Sequence, residues 1–193
     1  MRHTVLVLSL AAAPFAAAAD PARPMSPQEV PAALSPAVSK GEAAMDALRE
    51  KLFARLNELI LQGGPVAAIQ VCRSDAPRIA KEVGEAHRVE LGRTSFRLRN
   101  TANAPRPWAA PYVAAAAGKK GGDVKPVVVD LGDRLGLLRP ITVMPACTRC
   151  HGAVDGIDPE VKAELARGYP KDQATGFAPG DHRGFVWAEV KKR

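Results

Sequence analysis

The sequence predicts an α+β fold: an antiparallel sheet flanked by helices and led by a long amphipathic N-terminal helix. Three observations predict it. Met45, Leu48, Leu52, Leu56, Leu59 and Ile60 recur at spacings of three and four, with Glu42, Asp46, Glu50, Arg55 and Glu58 mostly opposite. That is the pattern of a helix with one buried face. Beyond about residue 87 the pattern changes to short alternating or β-branched runs, such as Val127-Val128-Val129, which read as strands. Two of these runs, 124–130 and 135–143, are joined through Gly132-Asp133, and so short a connection makes an antiparallel hairpin.

The chain has 193 residues, and one folded domain is the expectation. Residues 1–19 read as a secretory signal peptide. Arg2 gives a positive start, 5–13 is apolar but for Ser9, Pro14 breaks the run, and Ala17-Ala18-Ala19 offers a cleavage site. The alternative, an uncleaved anchor, has too short an apolar run to span a bilayer well. No later segment resembles a transmembrane helix, and no cysteine follows the run to carry a lipid. The mature protein is therefore expected to be periplasmic or secreted, with no integral membrane segment. Residues 20–38 hold five prolines and few large apolar side chains and read as a flexible leader.

The folded domain is expected over 39–193. Its first helix, 39–62, stops at Gly63-Gly64, and Pro65 begins a second, 65–71, which ends at Cys72. The first helix packs on its own domain or pairs with a second copy, so a homodimer is possible. Ser74 or Asp75 caps a third helix with Ile79, Ala80 and Val83 buried and Gly84 as its stop. Residues 87–100 form a strand pair or one bent strand. A loop containing Trp108, a helical turn or two over 111–117 and a turn over 118–123 lead to the hairpin. Asp158 opens a short helix, 159–166, closed by Gly168. Residues 172–184 form a Gly-rich loop. The last strand, 185–191, carries Phe185, Trp187 and Glu189 on one face and Val186 and Val190 on the other. There is no internal repeat.

The formal net charge is +7 and the pI about 9.6. Basic residues are scattered and interleaved with acids, without an aromatic ladder, so nucleic-acid binding is not indicated. A basic face could dock an acidic redox or signalling protein, whose identity the sequence leaves unknown, or be an ordinary solvated surface.

The chemistry lies in Cys147-Thr148-Arg149-Cys150-His151. C-x-x-C-H is the attachment pattern of a c-type haem: two thiols at this spacing add to the two vinyl groups, and the adjacent imidazole reaches the iron. A redox disulfide would place the pair at the start of a helix after a first strand, and a zinc site would need a second ligand pair. Covalent haem attachment takes place after export, which agrees with the signal. One covalently attached haem c is thus expected, on Cys147 and Cys150, with His151 as proximal ligand. The third cysteine, Cys72, is left over, and its spacing fits a buried thiol and an iron ligand equally. Met144, Met45, His182 and His87 are the other candidate ligands. Met45 reads as core, His182 as a surface loop residue and His87 as exposed.

Four blocks resemble a family of single-haem, PAS-like c-type proteins, found as small secreted haem proteins and as sensor domains ahead of histidine kinases. They are Ala67 to Cys72 with Ala76 to Ala80; Ser95 to Asn100 with Asn103, Pro105 and Trp108; Pro140-Ile141 leading to the haem motif; and Tyr169-Pro170 through Asp172, Ala174 and Gly176 to Gly184. Thr101 and Ala109 depart from it, where a proline and an acid are expected. The resemblance spans roughly residues 39–191. It implies a PAS-like sheet flanked by helices, and an iron held by His151 and the Cys72 sulfur. Thiolate ligation would favour ferric iron and a low midpoint. Propionates need cations, and Arg97, Arg99, Arg106 and Arg183 are candidates. Arg99 and Arg183 are preferred because they stand in the shared blocks. Trp108 is either a haem wall or core. Asp172 and Asp181 are expected as turn caps.

The functional expectation is an exported mono-haem protein with six-coordinate iron, an electron carrier or redox-responsive module. The alternative is a gas or redox sensor in which a small molecule such as NO or CO displaces Cys72. A peroxidase-like enzyme would need a distal acid–base residue, for which only His182 is available. No catalytic residue is assigned, since no Ser-His-Asp set, phosphate loop or carboxylate pair is present.

Overall fold

The computed structural model describes residues 24–193; the signal-peptide reading of 1–19 lies outside the described residues. Helix α1 (Ser35–Gln70) is followed by a π-helical turn (Val71–Asp75) and helix α2 (Ala76–His87). Then come β1 (Glu90–Thr94), α3 (Ala110–Ala115), β2 (Val127–Asp130), β3 (Arg134–Thr142), α4 (Thr148–His151), α5 (Pro159–Gly168) and β4 (His182–Lys191). The sheet has the order β1-β4-β3-β2 and every pair is antiparallel. The expected α+β architecture is present, with the hairpin and the final strand in their expected places.

The two faces of β4 explain the layers. Val186, Ala188 and Val190 pack with Leu135 and Leu137 against Val38, Met45 and Leu48 of α1 and Ile79 and Val83 of α2. Phe185 and Trp187 face the other way, onto Leu138, Val113 and Trp108. Trp108 is therefore core: its indole N–H donates to Glu189 at 2.9 Å. Ala109 is fully buried in the same cluster, where an acid would bury an unpaired charge. Gly41 lets α1 approach the sheet, for a Cβ there would lie 2.8 Å from Leu137 Cδ2 and 2.9 Å from Val190 Cγ2.

Five expectations change. The leader is not loose from residue 25 on: Met25 and Val128 exchange two backbone hydrogen bonds, and Val30 joins the core. The prolines start short helical turns there, Pro27–Glu29 and, after Pro31, Ala32–Leu34, and one antiparallel bridge docks the segment on the edge strand β2. Helix α1 begins at Ser35, with Pro36 in its first turn. The Gly63-Gly64 break is real, with Gly64 at φ 72° and ψ −171°, a region open only to glycine. The chain does not stop and restart at Ser74 or Asp75, however. The π turn carries it into α2, Ser74 Oγ donates back to Gln70 O, and Asp75 pairs with Arg55 at 2.7 Å. Helix α2 passes Gly84 and ends where Arg88 takes a left-handed conformation, φ 53°. Residues 87–100 yield one short strand, β1, because the segment after Thr94 turns away to line a cavity.

Candidate haem site

A cavity of about 640 Å³ opens between α1, the π turn, the segment 93–103, the end of β3 and the C-x-x-C-H segment. Its volume lies within the range of cofactor sites. Leu48, Leu52, Phe53, Leu56 and Val71 make an apolar wall, and Arg93, Arg99, Arg139 and Arg183 bring cations. Cys147, His151 and Cys72 all line it, although Cys72 and Cys147 are 75 positions apart in the chain. Cys150 packs beside Cys72 against Ile69, Ile157 and Val161. The three thiols are free, and burial pushes that of Cys150 up. Among the described residues no three His, Cys, Asp or Glu side chains gather as a cage for a bare metal ion.

Pro145 and Met144 prepare the motif. Pro145 opens a 3-10 turn (Pro145–Cys147) that runs into α4, so Cys147 lies about one helical turn before the adjacent Cys150 and His151. His151 ends α4, and its Nδ1 lies 2.6 Å from Ala174 O. A carbonyl only accepts, so Nδ1 carries the proton and Nε2 keeps its lone pair. Burial, then the Arg99 and Arg183 charges, hold the imidazole down at about 3. It stays neutral, the form a metal needs.

A buried clasp holds that carbonyl. Arg99 Nη2 donates to Ala174 O at 3.3 Å and to Cys150 O, and its Nε donates to Asp172 at 2.9 Å. Asp172 Oδ1 accepts from Ala174 N at 2.7 Å. Asp172 is thus the expected turn cap and also the counter-ion of Arg99. Asp181 caps its own turn through Ala178 N. Arg99 lines the cavity, but Nε and Nη2 are already engaged. Arg183 is different. Nη1 donates to Ser95 Oγ and Arg97 O, while its buried Nε has no partner. Burial, then Arg99 and Arg93, lower its pKa to about 10. Arg97 donates to Gln173 O and covers Phe177. Arg106 is away from the cavity, among Glu90, Glu189 and Trp187.

Among the described residues, three buried polar atoms of the cavity wall lack partners: Thr94 Oγ1, Arg183 Nε and Tyr169 Oη. Such orphans are costly unless something in the cavity meets them. A haem fits this wall. Its macrocycle would meet leucines, its carboxylates the guanidinium and hydroxyl donors, one vinyl group the Cys147 thiol, and its iron the imidazole and the Cys72 sulfur, whereas Cys150 does not line the cavity and packs with Ile69, Ile157 and Val161. Met144 lines the rim, 44% exposed, and Met45 is core as expected.

His182 corrects the sequence reading. It is no surface loop residue: it begins β4, is 1% exposed, and lies against Phe185 at 4.6 Å and Phe96 at 6.2 Å. It does not line the cavity. The Gly-rich signal hid a strand start, because Gly184 continues the ladder opposite Ile141. His87 is half-buried rather than exposed at the end of α2. Sequence reasoning missed Arg93 and Thr94 and gave Tyr169 no role, although Tyr169-Pro170 stood in a shared block.

No curated protein matches the chain. Among solved structures it is similar to the crystal structure of the cyanobacterial heme-protein Tll0287. The identity is 20%, the TM-score 0.59, and the alignment covers 78% of this chain and 92% of that one. At that identity the likeness carries the fold, and the family rests on the sequence match. A model of the Tll0287-like family matches residues 27–190, nearly the whole described chain, and the protein belongs to the Tll0287-like family.

Proposed function

We propose that the chain binds one haem, covalently through Cys147 and Cys150, with His151 and Cys72 as the axial pair, and that it works outside the cytoplasm as an electron carrier or redox-responsive module. One observation carries the reading: a single apolar cavity brings together Cys147, a neutral His151 with a free Nε2, Cys72 and an unpartnered buried guanidinium nitrogen. The solved relative is itself described as a heme-protein.

When bound, haem supplies a one-electron couple. The chain's own residues do the rest. Ala174 O orients the His151 ring. The leucine wall excludes water and keeps the local dielectric low. Arg183 and Thr94 supply donors to the propionate carboxylates. Cys72 supplies negative charge that favours the oxidised state. If His151 and Cys72 both hold the iron, the chain would leave no place on it for a substrate. The peroxidase-like reading also loses its acid–base residue, since His182 is outside the cavity. A redox or signalling protein would be the partner.

The sensor reading keeps one specific support. Cys72 stands on a π turn a few residues from the Gly63-Gly64 break, so its hold on a ligand is set by a locally irregular helix. Exported protein made with haem-attachment machinery should show a covalent haem and a low-spin, thiolate-type ferric spectrum that Cys72→Ser abolishes. Protein without haem would defeat the proposal. A variant spectrum identical to wild type would remove Cys72 from the iron. Binding of CO or NO to the reduced protein would favour sensing over electron transfer.

A further inference from the structure

Tyr169 follows α5, with its N–H bonded to Leu165 O at 2.8 Å. Its ring folds back into the cluster of Ile69, Ile157, Val161 and Leu165, which also holds Cys72 and Cys150. The residue is only 6% exposed, it lines the cavity, and its hydroxyl has no partner among the described residues. A buried hydroxyl of this kind costs stability unless the loaded site satisfies it.

The surroundings narrow the choice of acceptor. The cluster is hydrocarbon apart from two sulfurs. The cavity's arginines only donate. Cys150, once joined to a vinyl carbon, is a thioether and a weak acceptor. The donors suited to propionates, Arg183 Nε and Thr94 Oγ1, stand on the sheet side, on β4 and β1. Tyr169 stands on the helical side with Cys72. A metal-bound thiolate is the strong acceptor that remains there.

We propose that the Tyr169 hydroxyl donates a hydrogen bond to the Cys72 sulfur when that sulfur holds the iron. The inference rests on the axial pair proposed above. Tyr169 is then a positioning residue: its proton withdraws electron density from the thiolate, keeps the sulfur facing the cavity, and raises the midpoint from the low value that bare thiolate ligation would give.

The test compares haem-loaded wild type, Tyr169→Phe and Cys72→Ser by potentiometric titration and by the resonance Raman iron–sulfur stretch in H2O and D2O. The expected wild-type stretch shifts in D2O. In Tyr169→Phe that isotope shift disappears, and the balance moves about tenfold toward ferric protein, a midpoint about 59 mV lower for one electron. A wild-type stretch insensitive to D2O overturns the inference, and does so even if the phenylalanine variant fails to load haem. So does Tyr169→Phe with wild-type stretch and midpoint, the result expected if the hydroxyl serves a propionate instead. In either case the loss of the stretch in Cys72→Ser leaves the axial pair standing. A Cys72→Ser spectrum like that of wild type refutes the axial pair and the inference together.

Discussion

Asp172→Asn tests whether the clasp behind His151 is a buried ion pair. The substitution keeps the side-chain shape and the Oδ1 that accepts from Ala174 N, but it replaces Oδ2, the acceptor of Arg99 Nε–H, by an NH2 donor, so the charge and that hydrogen bond are lost together. The Arg99 and Asp172 side chains are 7% and 12% exposed, so little water can replace the lost carboxylate. Breaking a buried pair from one side costs roughly 3–5 kcal/mol, and the small residual exposure puts this one at about 3 kcal/mol. With a urea slope of about 2 kcal/mol/M, the unfolding midpoint should fall by roughly 1.5 M. Arg99→Met should cost a similar amount, because it frees the carbonyls of Cys150 and Ala174 as well as Asp172. The double variant should lose less than the two together, with a coupling of about 2 kcal/mol, since neither charge is then stranded. Urea titrations of the four proteins at pH 7, followed by tryptophan fluorescence, give all the terms. A midpoint drop below about 0.5 M for Asp172→Asn, or strict additivity, would refute the buried-pair reasoning.

Other outcomes follow from the same geometry. The imidazole of His182 is held down to about 4 by burial, then by Arg183, so the unfolded chain takes up its proton first. Its contribution is complete above the ordinary histidine value of 6.5 and is lost as pH falls through about 4. His182→Phe should therefore lose less stability between pH 7 and pH 4. Because both ring nitrogens lack partners among the described residues, it should also gain about 1 kcal/mol at pH 7; a comparable loss would mean that the imidazole is satisfied. Gly41→Leu should destabilise by about 3 kcal/mol through overpacking against Leu137 and Val190, and a Tm equal to wild type would deny the close approach. Gly64→Ala should cost about 1–2 kcal/mol for a conformation that alanine avoids, read as a lower urea midpoint with helix content by circular dichroism nearly unchanged.

The fold was legible where one local signal dominated. The heptad-like spacing of Met45, Leu48 and Leu52 marked the buried face of α1, and Gly132-Asp133 marked the hairpin. The C-x-x-C-H segment marked its own position without help from the rest of the chain. Signals failed where long-range contacts decided. Ser74 and Asp75 favour caps locally, yet Arg55, twenty residues earlier, takes the Asp75 carboxylate and the helix runs on. Gly184 beside His182 read as loop, yet its pairing with Ile141 of β3 makes it strand. Arg99 and Arg183 looked alike as block residues. Only the packing shows that one is tied to Asp172 and two carbonyls while the other keeps a nitrogen unpaired. The Ala174 carbonyl has no sequence signal, because any residue could supply it; only the neighbouring Asp172 hinted at an ordered turn.

The π turn that carries Cys72 has a consequence for phase. An α-helix rotates by about 100° for each residue, and a π turn accommodates one residue more than the α ladder would over the same stretch. Removing any one residue between 71 and 75 would let the ladder close regularly. The wide turn absorbs that residue, so α1 and α2 would stay nearly in phase; Cys72, moved one place along the ladder when Val71 is lost, would itself turn by about 100° and leave the wall that it shares with His151. No change of side chain at those positions carries the same penalty. The direction of the sulfur is written in this chain as a residue count, so single-residue deletion is the class of mutation to which the cavity is most vulnerable.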